Sequence, residues 1–315
     1  MMQSLFIGPN LLSGIGQVTK RYAELIGGEY VCYHNDEPSR EHYDFCFAFV
    51  LPISHNLEYI DKHKHKFDKI VYMTVCETHT VNECYGMLKN RKPLYVPSMF
   101  AKEILDRQFG FNCEFLPHWA TIPRELDFHG PSAGPYIFYT IGNIMDPRKN
   151  MTGLLSAFQS CKFPDARLLV KATCKKPITI NLPNVSVING LLTDDQLDKI
   201  HRGCHCYVNV SHSEGVGMGA VEAAVRNKPI IITDFGGLKE YVKTPFVVPC
   251  KLKEIGFDDF LFKKDMKWGH PKVQDIMECM KKCYNQRLRY MDHTHTRELV
   301  SAVQDNLENI AKTKL

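Results

Sequence analysis

Two carboxylates, a basic pair and a string of glycines are the residues of this chain best suited to chemistry. Glu214 and Glu222 stand eight positions apart in SHSEGVGMGAVEAAVRNKPIIITDFGG, residues 211–237. At about 100° per residue, the second carboxylate sits roughly 80° around a helix axis from the first. With Glu214 in a loop ahead of a helix and Glu222 in its second turn, both can border one pocket at the helix N-terminus. Gly215, Gly217 and Gly219 let backbone approach a ligand closely, and free N–H groups at such a terminus suit phosphate. Carboxylates accept hydrogen bonds from sugar or ribose hydroxyls. Taken alone, the same stretch also reads as a glycine-rich loop and a surface helix with two solvated acids.

A second group lies in YIFYTIGNIMDPRKN, residues 136–150, where a strand and a loop deliver Arg148 and Lys149 to the mouth of a helix. Two cations beside a helix N-terminus suit a diphosphate leaving group, whose charge must be neutralised as its bond breaks. An isolated pair of this kind can equally be solvated. A third group, Ser13-Gly14-Ile15-Gly16-Gln17, follows the first strand and opens the first helix. Asp36, about twenty residues on, makes it read in part as a dinucleotide fingerprint. Against that, Thr19 stands at the third glycine position, and Gly14 lies well past the strand end. A helix N-terminus directed at phosphates fits the spacing better.

The elements that must position these groups alternate between strand and helix. Ser4–Gly8, Glu29–Tyr33, Tyr43–Val50, Lys69–Val75, Leu94–Pro97 and Cys113–Pro117 read as strands, with Ile15–Ile26 and Ser98–Phe109 as amphipathic helices between them. Residues 121–135, rich in Pro, Gly and Ser, read as a linker. Beyond them the strands Tyr136–Ile141, Ala166–Lys171, Val185–Ile188, His205–Val210, Pro229–Thr233 and Phe246–Val248 alternate with four helical stretches. Such alternation implies βαβ units and parallel sheets, here in two Rossmann-like halves with a helical tail. The expected divisions are 1–120, the linker, 136–290, and a C-terminal helix, 291–315, that can cross back to the first domain.

Composition bounds the function. The 315 residues are 44% hydrophobic and 23% charged, which excludes a disordered or collagen-like chain. The net charge is +4, from 39 basic and 35 acidic residues, too mild to require nucleic acid. No apolar run approaches the ~18 residues of a membrane span, and the N-terminus has no signal-peptide pattern. Several of the twelve cysteines fall in apolar runs, as in a reduced, cytoplasmic protein. His201, Cys204, His205 and Cys206 suggest a metal cluster, but strand alternation keeps them from converging, so no metal site is expected. The run 61–66 reads as a solvated helix face.

In order along the chain stand a glycine loop after the first strand, Val96-Pro97-Ser98, Pro117-His118, Arg148-Lys149-Asn150, E-x7-E, and Asp234-x-Gly236-Gly237-x-x-Glu240. This series resembles the retaining family 4 glycosyltransferases of the GT-B fold. The resemblance implies an α/β chain of two facing Rossmann-like domains, with a nucleotide-sugar bound mainly by the second. It implies that Lys149, with Arg148, neutralises the diphosphate, that Glu214 meets the donor sugar or its phosphate side, and that Glu222 holds the ribose hydroxyls. Gly16 would offer a backbone N–H, and Gly14, Asn143, Gly215, Val216, Gly217, Met218, Gly236 and Gly237 complete the donor side. Glu77, His79 and His118 are the corresponding acceptor-side residues.

The sequence also departs from that pattern. The family's arginine after the first strand of the second domain is here Asn143. Of its E-G-F-G-L-P stretch, the aromatic is Val216 and the proline is Gly219. No D-x-D occurs in the chain, so the metal-bridged diphosphate of the other major glycosyltransferase fold has no ligand set. The resemblance therefore implies a metal-independent, retaining hexosyl transfer by front-face attack from a UDP- or GDP-type sugar, with no further cofactor. The acceptor, whether glycan, lipid, protein or modified nucleic acid, is not legible. Two other readings stay open: an NAD-dependent oxidoreductase using the first domain, and a non-catalytic binding protein on the same fold.

Overall fold

The computed structural model describes residues 2–33, 35–125 and 133–313. In chain order the first elements are β1 (Ser4–Gly8), α1 (Gly14–Ile26), β2 (Glu29–Cys32), β3 (Phe45–Phe49), α2 (Ser54–His63), β4 (Ile70–Met73), β5 (Leu94–Val96), α3 (Met99–Phe109) and β6 (Glu114–Phe115). Then follow β7 (Tyr136–Gly142), α4 (Met151–Cys161), β8 (Ala166–Ala172), β9 (Val185–Asn189), α5 (Asp194–Gly203), β10 (Cys206–Asn209), α6 (Met218–Ala224), β11 (Ile230–Thr233), α7 (Leu238–Tyr241) and β12 (Val247–Val248). The chain closes with β13 (Cys250–Glu254), β14 (Lys267–Pro271), α8 (Val273–Asn285), α9 (Thr294–Ser301) and α10 (Val303–Lys312). All twelve expected strands form. The paired strands β13 and β14 are additional: β13 (CKLKE) is exposed and dominated by charge, and β14 (KWGHP) is short and broken by glycine and proline.

The chain divides into two compact units, Met1–Trp119 with Glu254–Met266 and Leu299–Leu315, and Ala120–Lys253 with Lys267–Glu298. Glu254–Met266 thus joins the first unit, although it lies within the span expected for the second domain. Of the expected linker, residues 126–132 lie outside the described residues.

The first unit holds a parallel sheet of order β2-β1-β3-β4-β5-β6. Phe6, Phe45, Phe47, Phe49 and Tyr22 are its largest fully buried side chains on and against the central strands. Ser13 caps α1 and Gly27 ends it in the left-handed conformation. α10 packs on α1, and Lys69 donates to the carbonyls of Ile310 and Thr313. The histidine-rich run is less solvated than expected. His63 is buried, bonded to Tyr59 O at 2.8 Å and Glu37 at 2.6 Å, because α2 turns that face toward the β2 loop.

The second unit holds a parallel sheet of order β12-β11-β10-β7-β8-β9. Alternation along its strands makes two faces. Phe138, Leu168, Val170 and Ala172 face α4 and α8 in one cluster with Leu154, Phe158, Ile276 and Met280. Tyr139, on the other face, bonds His201 of α5 at 2.6 Å and stacks edge-on to Tyr207.

Candidate functional site

In the second sheet the chain runs outward from β7 through β8 to β9, then returns to start β10 on the other side of β7. Connections therefore leave β7 and β10 in opposite directions, and a crevice opens beyond their carboxyl ends. The loop after β7 carries Asn143 to Asn150, and the loop after β10 carries Val210 to Gly217. His212 N–H donates to Arg148 O at 2.7 Å and Asn150 Nδ2 to Val210 O at 2.9 Å, which tie the loops together. Asp146 caps the short turn Pro147–Lys149, and Asn150 enters α4 from a left-handed φ of 51°. These two residues aim Arg148 and Lys149 back across the crevice mouth.

Both cations converge on Glu214. Its Oε1 accepts from Lys149 Nζ at 2.7 Å, Ser211 Oγ at 2.8 Å and Asn209 Nδ2 at 3.2 Å. Its Oε2 accepts from Arg148 Nη1 at 2.9 Å. Arg148 also reaches Ser213 O at 2.8 Å and Asp146 at 3.2 Å. Glu214 is 5% exposed. Burial alone would raise its pKa, but the charges of Lys149 and Arg148 outweigh it and hold the carboxyl down at about 2. Glu214 is thus permanently ionised at neutral pH, with no proton to give.

Glycines position this carboxylate from behind. Gly236 has φ +90°, and a Cβ there would lie 2.5 Å from Glu214 O. Gly237 N–H donates to the same carbonyl at 2.9 Å. The pair expected at a diphosphate therefore grips the Glu214 backbone. Gly217, at φ +76°, opens α6. At Gly219 a Cβ would sit 2.2 Å from Tyr207 Oη. That hydroxyl donates to Ile141 O at 3.2 Å and accepts from Ile141 N–H at 3.3 Å, bridging β7 and β10 where they begin to splay. Glu222 lies in the second turn of α6, half-buried, and its backbone carbonyl accepts from Arg226 Nη1 at 2.9 Å. Val216 is buried, Met218 is half-buried, and Gly215 sits in the buried turn. Asn143 lies exposed beside Cys174, whose Sγ donates to Oδ1 at 3.4 Å.

The residues expected on the first unit arrange differently. Gly16 N–H, expected to face a phosphate, is taken by Ser13 Oγ at 2.9 Å. A Cβ at Gly16 would stand 2.2 Å from Asn10 O, so this glycine serves its own loop, while Gly14 has nothing within 4 Å. The close contact of strand and helix is made by Gly8 against Thr19, the reverse of a dinucleotide fingerprint. The Asp36 carboxylate accepts from Cys32 N–H at 3.0 Å, closing the β2 turn. Glu77 and His79 are half-buried in the irregular stretch after β4, ahead of a short 3-10 helix, Glu83–Leu88, that Asn82 caps. His118 is 4% exposed, beside Tyr22 Oη at 3.0 Å, and burial drives its pKa down to about 3. It is a neutral, enclosed group.

His201 and His205 do not share a ligand site: the first bonds Tyr139 and the second accepts from Ile137 N–H at 2.9 Å. Among the described residues, His42, Asp44 and Asp68 alone form a trio with ligand atoms within 4.8 Å, and all three are exposed. The sequence reading missed Asp146, Asn209, Ser211 and Tyr207. Asp-Pro ahead of the basic pair and polar residues closing an apolar strand were the signals for the first three.

Residues 122–246 match the sequence model of the family described as glycosyl transferases group 1. No curated protein matches the sequence. Among solved structures, the chain superposes on a sucrose-phosphate synthase from Thermosynechococcus elongatus with a TM-score of 0.66 at 15% identity, covering 99% of this chain and 96% of that one. A glycosyltransferase from Rickettsia africae gives 0.61 at 12% identity, covering 98% and 93%. A lipopolysaccharide outer core galactosyltransferase gives 0.61 at 12% identity, covering 98% and 99%. The chain has the two-domain GT-B fold of these glycosyltransferases, and the segment holding Arg148, Lys149, Glu214 and Glu222 is the part that matches the group 1 family.

Proposed function

We propose that the chain is a retaining, metal-independent glycosyltransferase that moves a hexose from a nucleoside-diphosphate sugar, of UDP or GDP type, to an acceptor hydroxyl. The observation that carries this reading is the pair Arg148 and Lys149 held on buried Glu214 at the switch point of the second sheet. In the transfer, the bond from the anomeric carbon to phosphate breaks and its electron pair leaves with the diphosphate. The acceptor oxygen bonds to the same face, and its proton passes to the departing phosphate oxygen. Lys149 and Arg148 meet the developing charge. Glu214, ionised and ringed by donors, positions them and takes no part as acid. Glu222 holds ribose hydroxyls. A hexose donor accords with the galactosyltransferase of the same fold, and a reducing compartment suits the twelve free thiols.

The test is thermal denaturation with UDP-, GDP-, ADP- and dTDP-sugars, with NAD as control, each with and without EDTA. A ligand at a hundred times its dissociation constant stabilises by about 2.7 kcal/mol. One nucleotide-sugar should raise the midpoint regardless of EDTA, and Lys149→Ala should lower kcat by about 10²–10³. Stabilisation by NAD alone, or full activity in both Lys149→Ala and Glu222→Ala, would overturn the proposal.

A further inference from the structure

Lys171 is a lysine inside an apolar strand, ARLLVKA, and is 3% exposed. Lysine is among the residues least often buried unless paired. Yet among the described residues no hydrogen bond or closed ion pair to its Nζ is found. Its place in the sheet indicates what it serves. In register it lies between Ile141 of β7 and Ile188 of β9, near the carboxyl end of the sheet. It shares the face of Ile141 and Leu169, opposite the face where Val170 and Ala172 meet α4 and α8. α6 lies over that side: a Cβ at Gly219 would come 3.3 Å from Ile141 O. Glu222, three residues on from Gly219, falls on the same side of the helix. Burial lowers the ammonium's pKa, and the Glu222 carboxylate, with Cys174, pulls it back up through space.

We propose that Lys171 is a donor-specificity residue, its ammonium acting with the Glu222 carboxylate to read the adjacent hydroxyls of a ribonucleotide; this rests on the nucleotide-sugar reading of the site given above. The argument is one of matching donors and acceptors. A carboxylate only accepts and an ammonium only donates. A hydroxyl does both, so a vicinal diol can donate to Glu222 and accept from Lys171 together. A phosphate would be attracted by one and repelled by the other. A base carbonyl would satisfy the ammonium and leave the carboxylate idle. Lys171 is then the group that makes the 2′-hydroxyl count.

The experiment compares wild type with Lys171→Met by isothermal titration, using UDP, GDP and ADP against their 2′-deoxy forms. Wild type should prefer the ribonucleotide of its base at least tenfold. In Lys171→Met the preference should fall to within threefold, by weaker ribonucleotide binding, with the deoxy form bound as before. A purely structural lysine would shift both forms equally, and that result overturns the proposal, as does a wild type indifferent to the 2′-hydroxyl. Should wild type bind none of the six, the nucleotide-sugar reading fails and the inference with it. If Lys171→Met does not fold, Lys171→Gln, uncharged and of similar length, gives the same comparison.

Discussion

In the first sheet the switch point falls between β1 and β3, and in the second between β7 and β10. Both are parallel six-stranded sheets with a glycine-bearing loop after the strand at the switch. Their buried charge differs completely. Among the described residues, the first unit buries no Lys, Arg, Asp or Glu, and its edge is closed by neutral groups such as His118, Thr19 and the Tyr33 hydroxyl on Phe49 O. The second buries Lys171, Glu214, Arg226 and Lys228, each accompanied by charges or carbonyls of its own. Desolvated charge is tolerated only with matched partners. One unit therefore encloses only neutral hydrogen-bonding groups, while the other also encloses charge, in closed ion pairs at Glu214 and Arg226 and on a carbonyl at Lys228.

That contrast is most exposed at Glu214. Glu214→Ala removes the buried carboxylate shared by two half-buried cations and should cost about 3–5 kcal/mol in urea unfolding; a loss under about 1 kcal/mol would mean the pairs are dispensable. Acid should separate the units next. Among the described residues, burial lowers the pKa of His201, His212, His270 and His293 in the second unit, against His118 alone in the first. Each of these histidines stays neutral when folded and takes a proton when unfolded. Its contribution is whole above about pH 6.5 and is lost as the pH falls toward its folded value. Glu214 adds its own loss between about 4.5 and 2. Hydrogen exchange should therefore show the second unit opening first below pH 6.5; simultaneous opening would erase the distinction.

Glycine substitutions give finer probes. Gly236→Ala forces a Cβ against Glu214 O at φ +90°, and should cost about 1–3 kcal/mol and depress activity by moving the carboxylate. A stable, fully active variant would show that the grip on Glu214 is not needed. Gly16→Ala should cost a similar 1–3 kcal/mol in the first unit, since its Cβ would meet the carbonyls of Pro9 and Asn10. Gly14→Ala, two positions away, should stay within about 0.5 kcal/mol. Equal penalties at Gly14 and Gly16 would refute the account of that loop.

Strands were legible because each is an apolar run bounded by Gly, Pro or polar residues, a local signal. The partner of a strand is not local. Nothing near Tyr136 announces that β10, some seventy residues on, will lie beside it, so the switch point came only with the fold. Lys149, Arg148 and Glu214 were legible as residue types suited to a diphosphate, but their pairing to one another was not. Gly236 was read for a ligand and serves Glu214; Gly16 was read for a phosphate and serves Asn10. In each case the sequence shows that backbone must come close to something, without showing what. Lys171 left a clear trace, a charge in an apolar strand, that only the register with Ile141 made interpretable.

Tyr207 and Gly219 share one small volume between β10 and α6, and the glycosyltransferase pattern that the sequence resembles has a proline where Gly219 stands. Position 219 lies in the first turn of α6, where a proline would forfeit no hydrogen bond. What bars it is the phenol oxygen opposite. The two side chains are alternatives for the same space: a ring at position 219 fits only once the tyrosine hydroxyl has gone, so Gly219→Pro should be tolerated with Tyr207→Phe and not without it.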